Sequence, residues 1–202
     1  MSSGLAVGLA LVAGIFGSDR AVPMIELDSA AVVAAERAED DREVILDVIR
    51  DHRRGTDEAW RQRLADAIYR EAVAADVDPL MVASIVAKES SFRIRVVSGA
   101  GAVGLMQLRP WVAEDLAQRA RIEWNGLETL HAPDLNVRLG ILYYQELVHD
   151  FDGDTHLALA AYNNGPTRLR RQLRTGSFAG SDYAERVMEY YEELRTRHDA
   201  SL

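Results

Sequence analysis

The sequence predicts an all-α fold, and three observations carry that expectation. Apolar residues recur at three- and four-residue spacings after Thr56, capping residues precede those stripes, and no alternating run is long enough for a sheet. No internal repeat is visible. A length of 202 residues suits one domain with a hydrophobic core.

The N-terminus opens with the run LAVGLALVAGIF at residues 5–16. A membrane span needs about 20 such residues, whereas a secretory signal carries a core of roughly 7–15. No Lys or Arg precedes the run, no clear A-x-A site follows it, and the first positive charge is Arg20. Residues 1–23 are therefore expected to act as an export signal or membrane anchor, with a buried helix or a truncated start as the alternatives. Residues 27–53 predict a long Ala-rich and charged helix, with apolar positions at 30–33 and at Ile45, Leu46, Val48 and Ile49 around an acidic middle. It reads as a helical linker or appendage (24–55) whose charges form a solvated face.

The compact domain is expected over 56–198. Thr56 can cap a helix with the stripe Trp60, Leu64, Ala67, Ile68 and Ala72. Asp78-Pro79 then supplies an N-cap and a first-turn proline for a helix ending near Ser91. A Gly/Ser/Ala loop fills 98–104, and Pro110 starts another helix. Asp134 is the expected cap of a helix bearing Val137, Ile141, Tyr144 and Leu147, and Thr155 that of a shorter one ended by Gly165-Pro166. A final helix begins near Ser181.

Composition removes several function classes. There is no cysteine, which excludes disulfides, thiolate catalysis and Cys-based zinc sites. The net charge of −9 makes nucleic acid an unexpected partner. The histidines form no H-E-x-x-H pattern. Asp150-Phe151-Asp152-Gly153-Asp154 places its glycine too early for a calcium loop and reads as a turn. Neither a metal nor another cofactor is expected.

One carboxylate stands out. Val82, Ile85, Val86 and Glu89 lie at i, i+3, i+4 and i+7 and so share a helix face. Three apolar neighbours place Glu89 where the helix meets the core, and burial there raises a carboxyl pKa. A carboxyl still protonated near neutral pH can give a proton to a leaving oxygen. The alternative is a glutamate that points to solvent or bonds a nearby backbone N–H.

Three motifs follow in order: Glu89-Ser90-Ser91-Phe92, then Ser98-Gly99-Ala100-Gly101-Ala102-Val103-Gly104-Leu105-Met106-Gln107, then Ala161-Tyr162-Asn163-Asn164-Gly165-Pro166. Together they closely resemble the soluble lytic transglycosylase (SLT) catalytic domain, over roughly 68–194. The resemblance implies a lysozyme-like fold with an added N-terminal hydrophobic segment and an extra helix. It implies that Glu89 is the single catalytic acid/base and that Ser98 contacts the sugar near the reacting centre. It implies that Gly104, Leu105, Met106 and Gln107 wall the glycan groove. Tyr162 and Asn163 match a pair facing the glutamate, and Tyr183 matches a groove tyrosine. Each has a plainer reading: chain-turning glycines, a core Met106, amides that cap helices, a core Tyr162. The sequence departs from the pattern at Ala179 and Gly180, where many members carry Glu and Thr, and at Asn164, where alanine is common.

No second carboxylate falls within the matched motifs, so the usual glycosidase pair is missing. The resemblance implies cleavage of the β-1,4 bond between N-acetylmuramic acid and N-acetylglucosamine, with Glu89 acting as acid and then as base. A 1,6-anhydro end results. The rivals are a goose-type lysozyme activity, in which water attacks, and a non-catalytic glycan-binding module. The implied partner is the glycan strand of peptidoglycan, met by a monomer in the bacterial cell envelope, periplasmic or exported.

Overall fold

The computed structural model describes residues 29–201, with side chains from 37 to 199. The expectation for residues 1–23 lies outside the described residues. No helix among those described is long and apolar enough to cross a membrane. The all-α expectation holds: nine helices and two isolated bridges account for the regular structure of the described residues.

The helix α3 (Pro79–Ser90) is the axis of the fold. Leu80 through Ala87 are all buried, so α3 is enclosed on every side rather than on one stripe. Its N-terminus is set by Asp78, whose carboxylate accepts from the Leu80 N–H at 2.8 Å and from the Tyr191 hydroxyl at 2.6 Å. Tyr191 belongs to α9 (Asp182–Ser201), which packs along α3. The other end stops abruptly. Ser91 and Phe92 both take positive φ, 50° and 59°, a conformation costing roughly 1–2 kcal/mol for a residue with a side chain. Phe92 offsets this by burying its ring completely, edge-on to His52.

Helix α1 (Ser29–His52) corrects the appendage expected over 24–55. Ile45, Val48 and Ile49 have zero exposure, and α1 packs on α2 (Glu58–Ala74), α3 and α9. Its acidic middle is exposed or half-buried as expected, tied in part by Arg42 to Asp66 of α2.

Three expected caps move by one or two residues. Asp57, not Thr56, precedes α2; the Thr56 hydroxyl instead donates to the Arg53 carbonyl at 2.7 Å. Asp154 caps α7 (Thr155–Asn164) by accepting from the Leu157 N–H at 2.9 Å. Helix α6 (Pro133–Asp150) begins at Pro133, and Asp134 in its first turn pairs with Arg70 at 3.1 Å. Proline loses nothing at that position, having no N–H to satisfy.

Between α3 and α4 (Pro110–Ala120) the chain forms the Gly/Ala loop, closed by reciprocal Val103 and Leu108 backbone hydrogen bonds. Asn136 of α6 bolts this loop down. Its Oδ1 accepts from the Met106 N–H at 2.8 Å, and its Nδ2 donates to the Val103 and Leu130 carbonyls at 3.1 and 2.9 Å. Gly104 has φ 83°, and a Cβ there would lie 2.1 Å from the Asn136 amide. Met106 rests on Gly140 of α6, where a Cβ would meet its sulfur at 2.2 Å. Leu130 lies on the short α5 (Leu127–His131), and α7 leads directly into α8 (Pro166–Arg174).

Asn136 is buried, and replacing it by alanine strands three backbone groups inside the protein. Asn136→Ala is expected to lower the unfolding free energy by about 2–4 kcal/mol in urea titration. A loss below about 0.5 kcal/mol would show that the loop holds without its bolt.

Candidate active site

The last turn of α3 carries Glu89 out of the core and into a groove of about 1050 Å3. The groove is walled by the Gly/Ala loop, the start of α4, the middle of α6, the end of α7 and one side of α8. Glu89 itself is only partly exposed.

Desolvation raises the Glu89 carboxyl to about 7, and the hydrogen bond from Tyr183 opposes the rise without cancelling it. The Tyr183 hydroxyl donates to Oε1 at 2.6 Å across the α3–α9 contact. No charged group takes part in the shift. The two other carboxylates in the groove, Asp115 and Glu146, are both bonded to Arg119. Around neutral pH Glu89 is therefore divided between acid and base forms, which is the condition for giving a proton and taking one back.

Two phenols flank it. Burial, followed by the negative charge of Glu89, pushes both Tyr162 and Tyr183 well above the ordinary phenol range. Both thus remain hydrogen-bond donors. Tyr183 spends its proton on Glu89, and Tyr162 spends its own on the Met106 carbonyl at 2.8 Å. The Tyr162 ring also leans on Tyr143 of α6, centroids 5.1 Å apart.

The structure divides the sequence-predicted residues into two groups. Glu89, Ser98, Gln107, Tyr162 and Asn163 line the groove together, and Tyr183 joins them through Glu89. Asn163 is exposed there. Ser98 accepts from the Ala102 N–H at 3.0 Å, which leaves its hydroxyl proton available. The Gln107 amide is turned inward, donating to the Gly104 carbonyl at 2.9 Å. Gly104, Leu105 and Met106 are not brought to the surface. Leu105 and Met106 have zero exposure, and Gly104 is covered by Asn136, so their side chains cannot wall a ligand as expected. They build the floor beneath Gln107 instead.

Several groove residues were missed in the sequence. Trp111, at the start of α4, is 71% exposed and lines the groove. Tyr143, Glu146 and the α8 arginines Arg168, Arg171 and Arg174 line it as well. Helix α8 escaped because Gly165-Pro166 reads as a stop, yet proline is equally at home in the first turn of a new helix. That proline was the available signal.

A family model described as the transglycosylase SLT domain matches residues 66–184. The soluble lytic murein transglycosylase of Salmonella typhimurium is 33% identical over 116 residues, covering 57% of this chain and 18% of the relative. An endo-type membrane-bound lytic murein transglycosylase A of Klebsiella pneumoniae is 31% identical over 146 residues, covering 65% of this chain and 70% of the relative. Among solved structures, an inactive mutant of the lytic transglycosylase Slt from Pseudomonas aeruginosa matches with a TM-score of 0.61 at 30% identity. That match covers 67% of this chain and 24% of the other. The 70-kDa soluble lytic transglycosylase complexed with bulgecin A shares the fold, with a TM-score of 0.60 at 24% identity over 67% of this chain and 25% of that one.

The raised Glu89 carboxyl has a consequence for stability. Its folded value of about 7 lies above the ordinary glutamate value of about 4.3. The folded state thus holds the extra proton between these values and loses stability as pH rises through that window. Glu89→Gln, which keeps an acceptor for Tyr183, should be more stable than wild type by roughly 1–3 kcal/mol at pH 8, the gain vanishing below about pH 4. Thermal unfolding across this range checks it, and a pH-independent difference would contradict the burial argument. Tyr183→Phe should move the Glu89 titration upward in carboxyl NMR, because the lost hydrogen bond favoured the ionised form.

Proposed function

The chain belongs to the transglycosylase SLT domain family, and from that premise we propose that it is a peptidoglycan lytic transglycosylase. The observation that carries this reading is a single glutamate held near pKa 7 by burial, in a groove, with no second free carboxylate beside it. The chain spans 18% of the Salmonella relative's length and 70% of the Klebsiella relative's, so activity and substrate are argued from the site itself.

The glycan strand lies along the groove, with the bond between N-acetylmuramic acid and N-acetylglucosamine at Glu89. Protonated Glu89 gives its proton to the glycosidic oxygen, and the C1–O bond breaks as positive charge develops at C1. The N-acetyl group of the same sugar stabilises that charge. Glu89, now a carboxylate, takes the proton of the C6 hydroxyl while O6 bonds to C1. A 1,6-anhydro ring closes, no water is consumed and Glu89 is protonated again. Tyr183 supports the second half, since its hydrogen bond favours the carboxylate over the acid.

Sugar contacts are assigned to Ser98, Asn163 and the remaining amide oxygen of Gln107, whose NH2 is spent on the Val96 and Gly104 carbonyls, with Trp111 offering an exposed indole face. Tyr162 acts by fixing the Met106 carbonyl beneath Gln107. The catalytic unit is assigned to 56–198, braced by α1. Residues 1–23 are assigned to export or anchoring, which sets the enzyme on the outer side of the cytoplasmic membrane. It works there as a monomer.

Glu89→Gln should lower turnover of purified peptidoglycan by about 10²–10⁴-fold while strand binding persists. Mass spectrometry of the wild-type digest should show anhydro ends. Reducing ends would establish hydrolysis, and binding without turnover would establish a glycan-binding module. kcat/KM should fall as pH rises through about 7, because the acid form is then lost.

A further inference from the structure

The charge of the groove is opposite to that of the chain. Arg109, Arg119, Arg168, Arg171 and Arg174 line it in a protein of net charge −9. Besides Glu89, its carboxylates are Asp115 and Glu146, and both are engaged by Arg119. The surplus is concentrated on α8. Arg168, Arg171 and Arg174 stand at i, i+3 and i+6 on the side that lines the groove, and none forms an ion pair among the described residues. Arg170 does not line the groove, and it is paired with Asp150 at 2.5 Å. Acidic partners were thus available to this helix, and the groove-facing arginines were left without them.

The three guanidiniums also stay out of the Glu89 titration, to which no charge contributes. The acid form of Glu89 thus coexists with them in one groove, and they extend along about 9 Å of helix. A ligand reaching them must carry negative charge at a distance from the cut. Peptidoglycan meets this requirement through the carboxylates of the peptide stems on alternate sugars, and a guanidinium fork suits a carboxylate in two-point contact.

Resting on the lytic reading, we propose that Arg168, Arg171 and Arg174 form a receptor for stem-peptide carboxylates and make stem-bearing strands the preferred substrate. Wall-polymer phosphodiesters would offer related anionic chemistry, and the test separates them.

The test compares glycan strands carrying uncrosslinked stems with the same strands stripped by an amidase. For wild type, kcat/KM on stem-bearing strands should exceed that on stripped strands by about tenfold, with the ratio shrinking as salt is added. R168Q/R171Q/R174Q should bring the ratio close to one, as should amidation of the stem carboxylates. Arg170→Gln should keep the wild-type ratio. The same ratio is read without turnover from the affinities of the Glu89→Gln protein and its triple-arginine derivative. A wild type that cleaves neither strand would therefore overturn the lytic reading, while the binding ratio still decides the receptor. A ratio near one in wild type, a ratio retained by the triple variant, or a ratio restored by stem-free strands bearing phosphodiester polymer would each overturn the receptor.

Discussion

The Tyr183–Glu89 hydrogen bond, set within an otherwise desolvated pocket, is the constraint around which the fold is arranged. Burial raises the carboxyl and the phenol's donation pulls it back, and the balance falls near neutrality. Holding that balance requires α3 and α9 to keep a fixed register over the distance from Asp78 to Glu89. Asp78 supplies it at the far end by binding Tyr191 while capping α3. Two α3–α9 hydrogen bonds, one at each end of α3, thus fix the separation on which the third-turn position of the carboxyl depends. Lys88, packed over the Tyr190 ring, adds a contact on the solvent side.

The Gly/Ala loop contributes through rigidity more than through contact. Its conspicuous residues, Gly104, Leu105 and Met106, are covered. A buried amide at Asn136 satisfies three of the loop's surrounding backbone groups, and Tyr162 satisfies the Met106 carbonyl. Every polar group so engaged would be costly to leave unpaired in the interior. The loop therefore has one low-energy arrangement, and Gln107 and Ser98 are presented to the groove from a fixed base.

Much of this was legible in the sequence, and the failures have identifiable causes. Helix periodicity and the Asp78-Pro79 start located α3 and therefore Glu89, and the ordered motifs located the loop and the end of α7. Periodicity understated how deeply α3 is buried, since a helix apolar on all sides has no stripe to detect. It missed α8 for the opposite reason: nine residues with only Leu169 buried leave no stripe either. The core role of α1 was hidden by the acidic segment ahead of Ile45, because composition averages over a helix while burial is decided turn by turn. Leu105 and Met106 were expected at the groove surface because a motif marks where residues matter, and a supporting floor is as constrained as a contact. No local rule points from Asn136 to Met106, thirty residues away; that bond exists only once α6 has packed.

The groove has to satisfy two opposing electrostatic demands. An anionic ligand is drawn by positive charge, yet positive charge near Glu89 would ionise it. Coulomb's law sets the scale: a unit charge about 4 Å away contributes on the order of 4 kcal/mol at an effective dielectric near 20, or about three pKa units. One arginine at contact distance would erase the whole rise produced by burial. The structure resolves the conflict by separation and by local neutralisation. Arg168, Arg171 and Arg174 stand on α8 and take no part in the Glu89 shift, and Arg119 is held by Asp115 and Glu146. Even the hydrogen bond that Glu89 accepts comes from a neutral phenol, a donor strong enough to orient a carboxylate and too weak to abolish its protonated form.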